Sequence, residues 1–194
     1  MKGGRYPSTE AVAQVVRESL EHGKSVEIEG LGVFRLREGH GFEFEPDPSP
    51  RVFIAYVDEE FESANRLFDG LARAGMSPWL DKRRLLPGQN WPRAIERAIG
   101  ISDFFIPCFS RRASTKRGQF QAELRYALEC AARIPLEEIF IIPVRLNECE
   151  VPQEIRERLH YVDLFPDWER GEKRIIRAIW KQVRSRRVRL PLAG

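Results

Sequence analysis

Arg51-Val52-Phe53-Ile54-Ala55-Tyr56-Val57 is an apolar run with no polar alternation. A strand of that kind is covered on both faces, as in a parallel sheet with helices on either side. Reading onward, Asp58 reads as the cap of a helix with Glu59 and Glu60 in its first turn, where the helix dipole favours anions. Phe61, Ala64, Phe68 and Leu71 fall on one face of that helix, and Gly75 ends it. Residues 76–81 read as a second strand and residues 82–90 as a loop holding Pro87-Gly88. A second helix carries Trp91, Ile95, Ala98 and Ile99 inward and ends at Gly100. Residues 103–110 form a third strand, and residues 119–133 a third helix striped by Phe120, Leu124, Ala127, Leu128 and Ala131. A fourth strand (139–146), a short helix (152–159), a fifth strand (161–165) and a closing helix (172–183) complete the series. Ile175, Ile176, Ile179, Trp180 and Val183 face inward on the last of these.

Five strands alternating with helices predict an α/β domain built on a five-stranded parallel sheet. Right-handed crossovers leave few topologies, and the flavodoxin-like order 2-1-3-4-5 is the expected one. In that order strands one and three are neighbours. Ligands then bind outside their carboxyl ends, near Tyr56-Val57-Asp58 and Cys108-Phe109-Ser110.

Working back from Arg51, Pro46-Asp47-Pro48-Ser49-Pro50 reads as a linker, because alternating prolines break both helix and ladder. It sets off a small α+β appendage, residues 1–45. Ser8 caps a helix with Val12, Val15, Val16 and Leu20 on one face, and Gly23 ends it in a left-handed conformation. Val26 and Ile28, Val33 to Leu36, and Phe42 and Phe44 then form an antiparallel meander, turned at Gly30-Leu31-Gly32 and at Gly39-His40-Gly41. Three short strands and one helix bury little apolar surface, so this unit is expected to dock on the main body or on a second copy.

The chain has 194 residues, 42% hydrophobic and 31% charged, which excludes a disordered class. No apolar run approaches a membrane span and no signal-type segment follows Met1, so a cytoplasmic location is expected. Cys108, Cys130 and Cys149 are an odd number at irregular spacing. They fit neither a disulfide framework nor a zinc site and read as small hydrophobes. His22, His40 and His160 are scattered, and no metal or cofactor is expected. The net charge of +3 comes mostly from Lys82, Arg83 and Arg84 in one loop and from Arg184, Arg186, Arg187 and Arg189 in a basic tail, residues 184–194. Both read as solvated, and nucleic acid as the weaker partner.

Several stretches converge on one family. Val52-Phe53-Ile54-Ala55-Tyr56, Trp79-Leu80-Asp81, Leu86-Pro87-Gly88-Gln89-Asn90-Trp91, Gly118 to Leu124 with Arg125-Tyr126-Ala127-Leu128, and Ile139-Phe140-Ile141-Ile142-Pro143-Val144 resemble, in order, the elements of a bacterial-type TIR (Toll/interleukin-1 receptor) domain over residues 51–183. The resemblance implies self-association through the BB loop (Lys82, Arg83, Arg84, Pro87, Gly88) and, in catalytic members, cleavage of the nicotinamide-ribose bond of NAD. The products are nicotinamide and ADP-ribose or a cyclic isomer, and such members serve in antiviral defence or cell-death signalling. NAD is then the substrate, and TIR-containing or defence proteins are the implied partners. Other members are adaptors without turnover. The family's glutamate falls on Glu123. Nicotinamide in NAD is already cationic and leaves neutral without a general acid, so one carboxylate suffices to hold the ribose and steady the oxocarbenium charge.

The resemblance places Tyr56, Val57 and Asp58 at the strand end that contacts the nucleotide, although Asp58 reads rather as a helix cap; Asp81 and Arg84 flank the BB loop, and Asp81 is taken as a further substrate-binding residue. Arg84 either pairs with a diphosphate oxygen or is a solvated loop arginine. Trp91 reads as core rather than as a stacking platform. Ser110 bonds a ribose or caps a turn. NAD-cleaving relatives usually carry Trp or Tyr four residues before the glutamate; here that position is Gln119, with Phe120 following, so a stacking wall for nicotinamide is either absent or supplied by Phe120. The family's serine before the strand-one tyrosine is Ala55. The segment Gly23 to Phe34 resembles the strand core of the HU/IHF family of DNA-bending proteins, without its first helix or its long basic arm. Glu27, Glu29, Glu43 and Glu45 make the exposed strand face acidic, so the unit reads as a scaffold or self-association module, with a DNA-binding regulator as the weaker alternative.

Overall fold

The computed structural model describes residues 9–28, 32–37, 41–46, 49–115, 118–135 and 137–189. The chain divides into two units, residues 1–48 and 49–194.

In the first unit, α1 (Thr9–Glu21) is followed by β1 (Val26–Ile28), β2 (Gly32–Leu36) and β3 (Phe42–Pro46). These strands form an antiparallel meander, β1-β2-β3, in which Val26 lies opposite Phe34 and Phe34 opposite Phe44. Ser8, Gly30, Leu31, Gly39 and His40, invoked above as cap and turn residues, lie outside the described residues. Gly23 has φ of 73°, the left-handed backbone that lets the chain leave α1. Gly32 cannot be replaced: a Cβ there would lie 2.2 Å from the Glu45 carbonyl oxygen. Leu20 is buried, but Val15, expected inward, is 61% exposed. Every residue of β3 is exposed, Phe42 and Phe44 included. A three-stranded sheet with one helix covers one face at most.

The second unit begins with β4 (Arg51–Ala55), a 3-10 turn (Asp58–Glu60) and α2 (Phe61–Arg73). It continues through β5 (Ser77–Trp79), α3 (Asp81–Arg84), α4 (Trp91–Gly100), β6 (Phe104–Phe109) and α5 (Arg111–Thr115). The series ends with α6 (Gln119–Ala131), β7 (Val144–Arg145), α7 (Gln153–Arg156), β8 (Val162–Asp163) and α8 (Trp168–Arg189). The sheet order is β5-β4-β6-β7-β8, all parallel, which is the flavodoxin-like 2-1-3-4-5 arrangement.

The period of two along each central strand divides the core. Val52, Ile54, Phe104, Ile106 and Cys108 pack on one face with Leu67 and Leu71 of α2 and Ile175, Ile179 and Trp180 of α8. Phe53, Ala55, Phe105 and Phe109 pack on the other with Ile95 and Ile99 of α4 and Phe120, Leu124 and Ala127 of α6. Phe53 stacks between Trp79 and Phe105 at 4.7 and 5.5 Å, so neighbouring strands share one aromatic layer.

Several elements differ from their expected extents. Asp58 does not cap a helix: it opens the 3-10 turn, and its carboxylate pairs instead with Lys82 Nζ at 3.0 Å. Asp81, expected at the end of the second strand, and residues 82–84, expected in a loop, form the helical turn α3. The fourth strand keeps parallel bonds from Phe105 N–H to the Phe140 carbonyl and from Ile142 N–H to the Phe105 carbonyl. Pro143, which has no N–H, interrupts it before β7. The closing helix runs to Arg189, so residues 184–189 are helix rather than tail; residues 190–194 lie outside the described residues.

Candidate functional site

Strand β4 ends at Ala55, and the chain leaves it through Tyr56, Val57 and Asp58. These three line a cleft of about 330 Å³ with Asp81 at the start of α3, Trp91 at the start of α4, and Gly118, Gln119, Phe120 and Glu123 at the start of α6. Gly118 enters α6 with φ of 136°, a backbone that favours glycine, and so turns the chain sharply into the helix beside the strand end. Arg117, immediately before it, lies outside the described residues.

Glu123 is 7% exposed, on the same side of α6 as buried Phe120, Leu124 and Ala127. Burial pushes its carboxyl up to about 7. The Gln119 amide, donating from Nε2 to Oε1 at 2.9 Å, acts the other way, and the negative charge of Asp81 adds to the rise. Tyr56 donates its hydroxyl to Asp81 Oδ1 at 2.5 Å, and the Lys82 N–H reaches the same oxygen at 2.6 Å. Burial and the bond to Asp81 raise the Tyr56 hydroxyl far above its ordinary value, so it stays a donor throughout the physiological range. The cleft thus holds a Tyr56–Asp81 pair and a largely desolvated Glu123 carboxyl that changes charge near neutrality.

Of the residues expected at the site, Glu123, Tyr56, Val57, Asp81, Trp91, Gln119 and Phe120 line this cleft together. Trp91 was expected in the core, but it is 49% exposed at the cleft because it is the first residue of α4, ahead of the turn whose stripe reaches the sheet. Phe120 is buried edge-on against Phe109 at 5.6 Å, so Trp91 and not Phe120 presents the more open aromatic ring. Ser110 does not line the cleft: it is fully buried, and its hydroxyl accepts from the Ala113 N–H at 3.0 Å, capping α5.

Arg84 lies elsewhere, in a second cleft of about 460 Å³ with Arg51, Trp79 and Arg97. The other two cations expected in the BB loop are held by the domain itself. Lys82 pairs with Asp58, while Arg83 bonds Asn65 at 2.7 Å and Asp69 at 2.9 Å. Asp58, expected beside the ligand crevice but read as a helix cap, lines the cleft, as do Phe53, Ile54 and Gly118, to which sequence reasoning gave no site role. The signal available for Asp58 was its position at the carboxyl end of a doubly covered strand. Cys108 is buried, which pushes its thiol up, and Cys130 and Cys149 are half-buried free thiols.

A TIR domain family model matches residues 52–176. The chain belongs to the TIR domain family. Among solved structures, the TIR domain of the Toll-related receptor TRR-2 from Hydra magnipapillata is 28% identical, with a TM-score of 0.51, over 65% of this chain and 97% of that one. The TIR-STING receptor from C. gigas, solved with 2',3'-cGAMP, is 23% identical with a TM-score of 0.55, over 66% of this chain and 38% of that one. The TIR domains of the activated Roq1 resistosome, which recognises the pathogen effector XopQ, are 20% identical with a TM-score of 0.50, over 70% of this chain and 99% of that one. No curated protein matches the chain. Among the described residues no helix is long and apolar enough to cross a membrane.

Proposed function

We propose that this bacterial-type TIR domain cleaves the nicotinamide-ribose bond of NAD, giving nicotinamide and ADP-ribose or a cyclic isomer, and that self-association switches it on in antiviral defence signalling within the cytoplasm. The observation that carries the reading is the Glu123 carboxyl, buried to 7% exposure yet lining the cleft beyond β4. Asp58 and Asp81 line the same cleft, and that excess of carboxylates suits the cationic nicotinamide ring, with the Trp91 indole at hand for stacking.

In the reaction the C1′–N bond breaks and its electron pair leaves with the pyridine nitrogen, so nicotinamide departs neutral. The ionised Glu123 carboxylate steadies the ribosyl cation left behind, in a site that burial keeps poor in water. Water adds to C1′ and releases its proton to solvent; in the cyclising route a nucleophilic atom of the same ADP-ribose takes the place of water. No resident cofactor or metal enters these steps.

Nicotinamide release from NAD tests the reading, at high protein concentration and with a crowding agent to promote assembly. Release by the wild type that Glu123→Ala abolishes is the expected result. Equal silence of both proteins under both conditions sinks it. One observation favours a second reading, a non-catalytic adaptor: Gln119 stands where catalytic relatives carry an aromatic ring, and its amide already occupies Glu123. Partner-TIR binding that survives Glu123→Ala but fails on Pro87 substitution supports the adaptor.

A further inference from the structure

Helix α8 spends its apolar side on the core through Ile175, Ile179, Trp180 and Val183. Its outer side carries a row of cations, with the carboxylates of Asp167 and Glu169 beside its N-terminal end. Arg170, Arg174, Arg177 and Lys181 are exposed and recur at intervals of four, three and four residues, which sets them in one row along the helix. Lys173 flanks the row, and Glu169 answers it only at 3.9 Å. Among the described residues no carboxylate lies within ion-pair distance of the four row cations, whereas Lys82, Arg83, Arg145 and Arg186 all have one. From Arg170 to Lys181 the row is about 17 Å long at the helical rise. Over that length duplex DNA displays about ten phosphates, five on each strand.

We infer that this face of α8 binds the phosphate backbone of duplex nucleic acid, without reading its sequence. The row is mostly arginine, whose planar fork matches phosphate oxygens. A protein partner would be expected to use an aromatic or aliphatic anchor, and the face offers none. An interfacial membrane helix would need a free apolar side, and that of α8 is already buried in the fold. The helix is rigidly seated, so the charges are held in line before the ligand arrives, and binding orders little besides side-chain tips. These cations belong to the unit of residues 49–194, and none of them lines the cleft holding Glu123.

Fluorescence anisotropy of the full chain against a labelled 20-base-pair duplex, at 50 and 200 mM salt, tests the assignment. Four neutralised phosphates predict a slope of log affinity on log salt of about −3 to −4, hence about a 100-fold loss across that range. Arg174→Ala/Arg177→Ala/Lys181→Ala is expected to flatten the slope by about three and to weaken binding at least 10-fold at 50 mM salt. The milder Arg174→Gln/Arg177→Gln gives a partial loss if the triple variant fails to fold by circular dichroism. Arg156→Ala/Arg158→Ala, exposed cations on and just after α7, is expected to bind as the wild type. No saturable binding at 50 mM salt, or the same affinity in wild type and row variants, overturns the inference. So does equal weakening by the α7 pair, or tighter binding to vesicles of anionic phospholipid or to polyglutamate than to the duplex. None of these outcomes depends on turnover of NAD, so the inference and the proposed activity stand or fall separately.

Discussion

At the residue scale, the Glu123 carboxyl changes charge where assays are usually run. Its folded value, about 7, lies above the ordinary carboxylate range because burial penalises the charged form. Only the ionised form steadies a ribosyl cation, so turnover is expected to rise with pH and level off above about 7. The stability contribution runs the other way. Between the ordinary carboxylate range and 7 the unfolded chain has already given up this proton and the folded chain has not, so stability falls as pH rises across that window. Glu123→Gln has no such group, and its stability relative to wild type is expected to improve by about 3 kcal/mol between pH 4 and pH 8, measured by denaturant titration. Gln119→Leu removes the bond that lowers the carboxyl, and its activity midpoint is expected to move upward by about 0.5–1 unit, a shift that a merely structural role for Gln119 would not produce. Trp91 gives a separate test. Trp91→Ala is expected to raise KM about 2–10-fold with little change in melting temperature, and Trp91→Phe to restore most of it. A large loss of stability in Trp91→Ala would return this residue to the core.

At the element scale, α8 rests on β8 through a contact that only glycine permits. A Cβ on Gly171 would sit 2.3 Å from the Asp163 carbonyl oxygen and 2.8 Å from Leu164 Cδ2. The first of these is backbone and cannot rotate away. Gly171→Ala gains helix propensity of about 1 kcal/mol and still is expected to lose about 2 kcal/mol net, seen as a melting temperature lower by several degrees. The contrast is Gly70 on α2, where the clash is with the carboxylate end of Glu172, a group able to swing aside; a loss for Gly70→Ala as large as for Gly171→Ala would show that α2 and α8 are locked together as tightly as α8 and β8. This scale is also where sequence reading was strongest and where it slipped. Continuous apolar runs such as Val52 to Ala55 and Phe104 to Phe109 announce doubly covered strands, because nothing else requires apolar side chains on both faces. Helical turns of four or five residues, α3 and α5, carry no periodicity to detect. The Trp91 position misled because its spacing from Ile95 suits an inward stripe, while the helix begins at Trp91 itself, clear of the sheet. Glu123 was legible as to place, but its near-complete burial and its bond to Gln119 arise from tertiary packing that no spacing records.

At the scale of the whole molecule, both core clusters are built only from residues from Val52 onward, and every residue lining the Glu123 cleft belongs to the second unit. Among the described residues the first unit has one buried hydrophobe, Leu20, and leaves Val15, Leu36, Phe42 and Phe44 exposed. A five-stranded sheet covered on both faces holds enough apolar surface to fold without help, whereas three short strands under one helix do not. Residues 49–194 produced alone are therefore expected to melt cooperatively within a few degrees of the full chain and to keep its far-ultraviolet spectrum per helix. The isolated residues 1–48 are expected to be largely unfolded at the same concentration. If the fragment 49–194 instead aggregates or melts far lower, the apolar face left exposed on the meander is a structural partner of the TIR unit. If it melts unchanged while nicotinamide release per molecule changes, the first unit acts on assembly and not on folding. The two measurements together assign the first unit its part, because folding depends on the core clusters and, under the proposed function, turnover depends on the copies brought together.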